Sequence, residues 1–254
     1  MNPVSSLKAV GGFIAMSLDV FRAFFRRPFQ LREFLEQTVF LARVTILPCI
    51  FLAVPFLGVT IFFVNQLLVQ IGAIDLSGAG TALAVIREIG SMASVLVLAG
   101  AGSTAICADL ASRTIREEID AMKVLGIDPI HRLVVPRVLA ATVVAIGLNA
   151  VVSVVGISTG YVFSVLVQGA SAGQFVASLP LLVGLQDVLV GIAKVIIFGL
   201  AAGLVGCYRG LTVGAGTKGV GEAVNETVVL VVVILFVVNT VITLIYMQFA
   251  RSGF

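Results

Sequence analysis

Charge is what this 254-residue chain has least of: Asp, Glu, Lys and Arg together make up 11% of it, against about 25% in an ordinary soluble domain. Histidine is nearly absent as well. The single one, His131, lies in a charged segment, so a Ser and His dyad built on Ser103 beside Gly102 cannot form at membrane depth. Three cysteines, Cys49, Cys107 and Cys207, are odd in number and sit in or beside apolar runs, which argues against a disulfide framework and for small buried residues. No G-x-x-x-x-G-K-[ST] occurs; residues 214–219 read GAGTKG, without the lysine placement that cradles phosphates. The chain is therefore not expected to hydrolyse ATP, and neither a catalytic nor a metal site is expected in it. What it does have is apolar sequence, 59% hydrophobic residues and a mean hydropathy of +1.16. This composition predicts an all-α integral membrane protein with room for about five or six spans of about 20 residues and little soluble structure.

Five apolar segments satisfy that length, at about 44–69, 89–108, 133–167, 188–208 and 228–247. Basic residues distribute unevenly around them. Lys8, Arg22, Arg26, Arg27, Arg32 and Arg43 precede the first span; Arg113, Arg116, Lys123, Arg132 and Arg137 fall between the second and third; Arg209 and Lys218 fall between the fourth and fifth. The intervening loops, 70–86 and 169–186, carry none. The positive-inside bias then places the N-terminus and the segment 113–137 in the cytoplasm and the C-terminus outside. The net charge of +3 reflects this topology, and nucleic-acid binding explains it poorly.

Residues 1–43 form a separate segment ahead of a transmembrane domain at 44–254. A targeting peptide is disfavoured, because Asp19 and the arginines from Arg22 to Arg27 interrupt any apolar core and no small-residue cleavage site follows. On a helical wheel Val10, Phe13, Ile14, Val20, Phe21, Phe24 and Phe25 share one side, with Asp19, Arg22 and Arg26 opposite. Such a helix can lie in the membrane interface, or pack against the protein's own spans.

The segment RTIREEIDAMKVLGIDPIHRLVVPR, Arg113 to Arg137, is a charged island between two apolar runs. Thr114 with Glu117 reads as a capping box, Gly126 as a C-terminal stop, and Asp128 before Pro129 as the cap and first turn of the next span. The predicted helix has about eleven residues and is roughly 16 Å long. Ile115, Ile119, Met122 and Leu125 form one face, and Arg116, Glu117, Asp120 and Lys123 the other. Glu118 falls on the apolar side, where a carboxylate needs a partner, so the pattern predicts a donor on whatever docks there. A solvated loop helix without a partner is the plainer alternative.

The run EEIDAMKVLGIDP followed by LVVPRVLA, with REIG at 87–90 and GLVGCYRGL at 203–211, resembles the MlaE/YrbE permease family of lipid-transporting ABC systems associated with Mce proteins, in particular the actinobacterial YrbE branch. The resemblance extends from about residue 30 to the end of the chain. It implies a plasma-membrane permease that pairs with a second, related permease, binds two cytoplasmic ATPase subunits that hold the ATP and Mg, and works beneath an Mce ring on the outer side. It further implies that Ile115 to Gly126, including Glu117, Glu118 and Asp120, is a coupling helix seated on the ATPase. The loop 209–222 would share that side. Ser91 departs from the pattern, since proline follows REIG in many relatives, which leaves the start of span two less rigidly defined.

Ionisable residues at membrane depth point to the substrate path. Lys194 lies about seven residues into span four, roughly 10 Å from its end. Arg87 and Glu88 enter span two and Asp187 opens span four. Arg87, Glu88 and Lys194 are expected to border an outward-facing cavity for a lipid head group or carboxylate, a role the resemblance implies for Arg87 and Glu88. Asn65, Gln66 and Asn239 are weaker candidates, and simple pairing that locks spans two and four is the alternative for the charges. GISTG at 156–160 and GLAAG at 199–203 provide close helix approach, while Pro48 and Pro55 should bend span one. A secondary transporter or channel using Lys194, Glu88 and Asp187 as a relay, or a membrane anchor for an Mce ring that transports nothing, would explain the charges without an ATPase.

Overall fold

A computed structural model describes residues 3–26, 28–214 and 216–251; Arg27 of the basic cluster lies outside the described residues. Every regular element among them is helical. Helix α1 (Pro3–Phe24) precedes α2 (Leu31–Gln70), the first of five stretches long and apolar enough to cross a membrane. The expected boundary at 43 falls inside α2, which carries both Pro48 and Pro55.

The second stretch, Ile74–Ile115, begins well before the expected residue 89. It comprises a short 3-10 turn, α3 (Ser77–Ala82), a π-helical stretch over Leu83–Ile89, α4 (Gly90–Val97), a second π stretch over Leu98–Gly102, and α5 (Ser103–Ile115). Residues 70–86 are thus mostly span and not loop. Asp75, the small and polar residues from Ser77 to Ala82, and the charges of Arg87 and Glu88 interrupt the apolar run; ion pairs inside the fold compensate the last two charges. The wide π turn also explains the glycine of REIG: a β-carbon at Gly90 would collide with the Val85 carbonyl oxygen. Ser91, where proline was expected, donates its hydroxyl to the Glu88 carbonyl at 2.8 Å.

Helix α6 (Glu118–Val124) occupies the island. The third stretch joins a π turn, Ile130–Val134, to α7 (Val135–Tyr161) and a π end, Val162–Val167. Within the expected loop 169–186 lies α8 (Ala172–Ser178), followed by α9 (Leu185–Leu211) and α10 (Gly216–Arg251).

The chain divides into two compact units whose boundaries fall inside the long helices, so each of these contributes to both. Unit one holds residues up to 44, 98–144 and 199–235. There Met16, Val20 and Ala23 of α1 are buried, while Val10, Ile14 and Phe21 remain exposed. Phe13 meets Tyr208 edge-on at 5.6 Å. The helix therefore packs on its own chain with one flank and keeps an apolar flank free, combining the two readings of its pattern. The motif GLVGCYRGL works by absence of side chain. A β-carbon at Gly206 would sit 2.8 Å from the Ser103 carbonyl oxygen, and one at Gly210 would sit 2.7 Å from Leu110 Cβ, so α9 and α5 touch backbone to backbone. Gly210→Val is expected to destabilise the fold by about 1–3 kcal/mol through overpacking, read as a lower melting temperature in detergent. Gly147→Ala, with nothing within 4 Å, should leave it unchanged.

Unit two holds residues 45–97, 145–198 and from 236 on. Gly156 lets α7 approach Leu57 and Val85, and Asn65 donates to Ser164 at 2.7 Å within a buried interior. Exposed apolar residues such as Phe51, Phe63 and Val241 lie on helices long and apolar enough to cross a membrane.

Candidate functional site

The ionisable residues of unit two come together. Lys194 of α9, only 1% exposed, places Nζ 2.9 Å from Glu88 Oε1 and donates to Thr243 Oγ1 at 2.8 Å. Thr243 donates in turn to Glu88 Oε1 at 2.8 Å, and Asn239 donates to Glu88 Oε2 at 3.3 Å. One residue away, Arg87 Nε lies 3.1 Å from Asp187 Oδ1, which also accepts from the Tyr246 hydroxyl at 2.7 Å. The Asp187 Oδ2 accepts the Gly184 N–H at 2.9 Å, and the Arg87 guanidinium stands 5.3 Å from the centre of the Tyr246 ring. An ammonium at this depth is tolerated because a carboxylate and a hydroxyl surround it.

Two cations and two anions balance, so the cluster carries no net charge, and its members differ in access. Lys194 and Asp187 are buried, whereas the side chains of Arg87 and Glu88 are 29% and 30% exposed. Arg87 and Glu88 are therefore the members open to the surroundings, with Lys194 and Asp187 paired to them from the buried side. The Asn239 Oδ1 is buried and has no hydrogen-bond partner. Ile86 and Val188, neighbours in sequence of Arg87 and Asp187, line a largely apolar groove of about 350 Å³ with Asn149, Ser153, Gly191 and Ile192. A charged, half-open cluster with apolar surface nearby suits an amphiphile better than a bare ion.

Of the expected substrate residues, the structure unites Arg87, Glu88, Lys194 and Asn239. Asn65 does not join them; its amide is committed to Ser164. Thr243 and Tyr246 were missed. They follow Asn239 by four and seven residues on α10, so a polar stripe on one helical face was the available signal.

The island departs from its expected form in three ways. Thr114 does not cap a helix: α5 continues through it, and its hydroxyl donates to the Leu110 and Gly210 carbonyls at 2.9 and 3.1 Å. The break falls at Glu117, which adopts a left-handed φ of 59° and makes no side-chain cap. Glu118 already has a partner in its own chain, Arg116 at 3.5 Å, so its placement does not demand an external donor. Finally, Ile119 is buried at 5% exposure, Met122 is half-buried, and Val124 and Leu125 stand out at 88% and 74%. The surface open to a partner is therefore Val124, Leu125 and the edge of Ile115, with Glu117 and Asp120 alongside. Asp120 pairs with Lys123 at 2.8 Å. Gly126 ends the helix as expected, at φ 72°, with its N–H bonded to Lys123 and that of Ile127 to Met122. Asp128 Oδ1 accepts the Ile130 N–H at 3.0 Å and so caps the entry to the third stretch.

Residues 34–245 match the family described as Permease MlaE. A probable ABC transporter permease protein of Rickettsia typhi is 28% identical over 250 residues, covering 95% of this chain and 93% of the relative. A similarly named protein of Synechocystis is 31% identical over 72% of this chain and 68% of its own length. The chloroplastic protein Trigalactosyldiacylglycerol 1 of Arabidopsis thaliana is 30% identical over 76% of this chain and 55% of its own.

Proposed function

The chain belongs to the MlaE permease family, and from that premise we propose that it is the membrane-spanning subunit of an ABC-type lipid transporter. Residues 44–254 form the transport domain, residues 1–43 an interfacial segment, and the N-terminus and α6 face the cytoplasm of a plasma membrane. A second, related permease completes the lipid path, two ATPase subunits hold ATP and Mg, and α6 is the seat on which one of them pushes. A ring of Mce proteins receives or delivers the substrate on the far side. The names of relatives as ABC transporter permeases support the ATPase partnership, and one relative is named for a galactolipid. The observation that carries the lipid reading is the half-open, charge-balanced cluster of Arg87, Glu88, Asp187 and Lys194 in a protein that has, among the described residues, five helical stretches long and apolar enough to cross a bilayer.

In this reading Arg87 contacts the polar or anionic head of an amphiphile, a phospholipid, fatty acid, mycolate or sterol, while its tail lies along apolar surface. Asn239 donates to the second oxygen of Glu88 and so helps to hold it. Lys194 holds Glu88 in place, and Tyr246 and Asp187 hold Arg87. Arg87→Ala is expected to lower the lipid that co-purifies with the complex by about tenfold, the order of one lost charge-assisted contact. Unchanged lipid content, measured by mass spectrometry of the extracted complex, would count against the site and favour an anchor that transports nothing. A secondary carrier would instead move lipid or ions without nucleotide.

A further inference from the structure

Unit one contains a second ion cluster, and at its centre Arg137 is wholly buried. Its Nη2 lies 2.6 Å from Asp109 Oδ2 and 3.3 Å from Glu33 Oε1, while its Nη1 donates to the Leu133 carbonyl at 2.9 Å. Asp109 also faces Arg113 Nε at 3.4 Å. Arg137 is expected among the cations between spans two and three, but it lies inside α7 and is solvated by carboxylates in place of water. The cluster joins the first turn of α2, which holds Glu33, to α5, which holds Asp109 and Arg113, and to the start of α7.

An apolar cluster of equal volume would hold three helices together at least as well, because burying a guanidinium is costly even when it is paired. What an apolar cluster cannot supply is fixed relative geometry. The planar guanidinium, anchored through Nη1 on the Leu133 carbonyl, aims Nη2 at both carboxylates in one fixed direction, whereas methyl groups slide. The position of this fork is informative. Helix α5 ends at Ile115, α6 spans Glu118–Val124, and the third stretch begins at Ile130. The helix that projects Val124 and Leu125 is thus suspended between the two elements that Asp109 and Arg137 clasp.

We infer that Arg137 is a positioning residue for energy coupling: acting through Asp109, it fixes α5 against α7 so that a push on α6 moves both spans as one body. The inference rests on the reading of α6 as the ATPase seat. Glu33 extends the clasp to α2, which continues α1's segment into the first span. With the clasp loosened, α6 can yield under load and the stroke is lost in local motion.

Arg137→Lys keeps the charge and removes the fork. In the assembled complex in lipid vesicles, it is expected to retain the ATPase subunits and their basal hydrolysis with an unchanged KM for ATP. Lipid moved per ATP hydrolysed should fall at least about fivefold. Asp109→Asn should behave alike, and Glu33→Gln, which weakens the 3.3 Å contact and keeps an oxygen to accept from Gln37 within α2, should fall in between. A wild-type ratio of lipid to ATP in Arg137→Lys would overturn the inference and leave a merely structural clasp, even if the melting temperature drops. Should Arg137→Lys fail to reach the membrane, Glu33→Gln decides: a wild-type ratio overturns the inference and a reduced one supports it. The seat is tested separately, by whether reversing the acidic charges of α6 releases the ATPase.

Discussion

Replacing Lys194 by methionine is expected to produce the largest loss of any single substitution in the lipid site. Methionine roughly fills the volume of the lysine stem, so packing is preserved and the charge alone is removed. Glu88 then keeps a carboxylate in the interior of the span with only Thr243 and Asn239 to donate to it. Breaking one partner out of a fully buried ion pair costs about 3–5 kcal/mol, much of it the penalty of the stranded charge, and the 30% exposure of Glu88 reduces that cost here. Both stability and lipid content should fall, the latter below detection. The double substitution Lys194→Met with Glu88→Gln separates the two effects. With no charge stranded, its melting temperature in detergent should recover most of the loss, whereas lipid binding should not return. Recovery of both would show that the pair only braces spans two and four.

Reversing the acidic charges of α6, Glu118→Lys with Asp120→Lys, is expected to release the ATPase subunits while the permease stays folded in the membrane. Both side chains are well exposed, Glu118 at 43% and Asp120 at 71%, so their intramolecular pairs with Arg116 and Lys123 contribute little to the fold. An interface that buries this helix would instead face four positive charges in two turns, and like charges brought together there cost several kcal/mol. Co-purified ATPase should drop by at least about a hundredfold, at 1.4 kcal/mol per factor of ten. Val124→Asp offers an independent route to the same end, because that side chain is 88% exposed and touches nothing whose loss would unfold the chain. Full retention of the ATPase in both variants would remove α6 from the coupling path.

The spans and the island were legible because long apolar runs and a charged interruption are properties of local sequence. Gly126 and Asp128 were legible for the same reason, since each acts on backbone within two or three residues. Thr114 was not, because α5 runs through it and its hydroxyl, besides bonding back to Leu110, reaches the Gly210 carbonyl far along the chain. The start of span two was misplaced because Arg87 and Glu88 look like solvent-exposed residues until Asp187 and Lys194 are brought to them. Arg137 was misread for the same cause: its carboxylates come from two other helices. Asn65 and Asn239 were indistinguishable as polar residues in apolar spans, and only the fold commits one to Ser164 and the other to Glu88. Sequence thus carried the architecture, and tertiary pairing decided which polar residues form a site.

The most direct measurement is purification of the tagged chain in mild detergent, with bound subunits and lipids identified by mass spectrometry. The expected result is an ABC ATPase and a second permease in stable association, with lipid that is lost in Arg87→Ala and Lys194→Met. A chain that purifies without an ATPase under conditions that keep it folded, and whose lipid content is indifferent to both substitutions, would contradict an ATP-driven lipid permease.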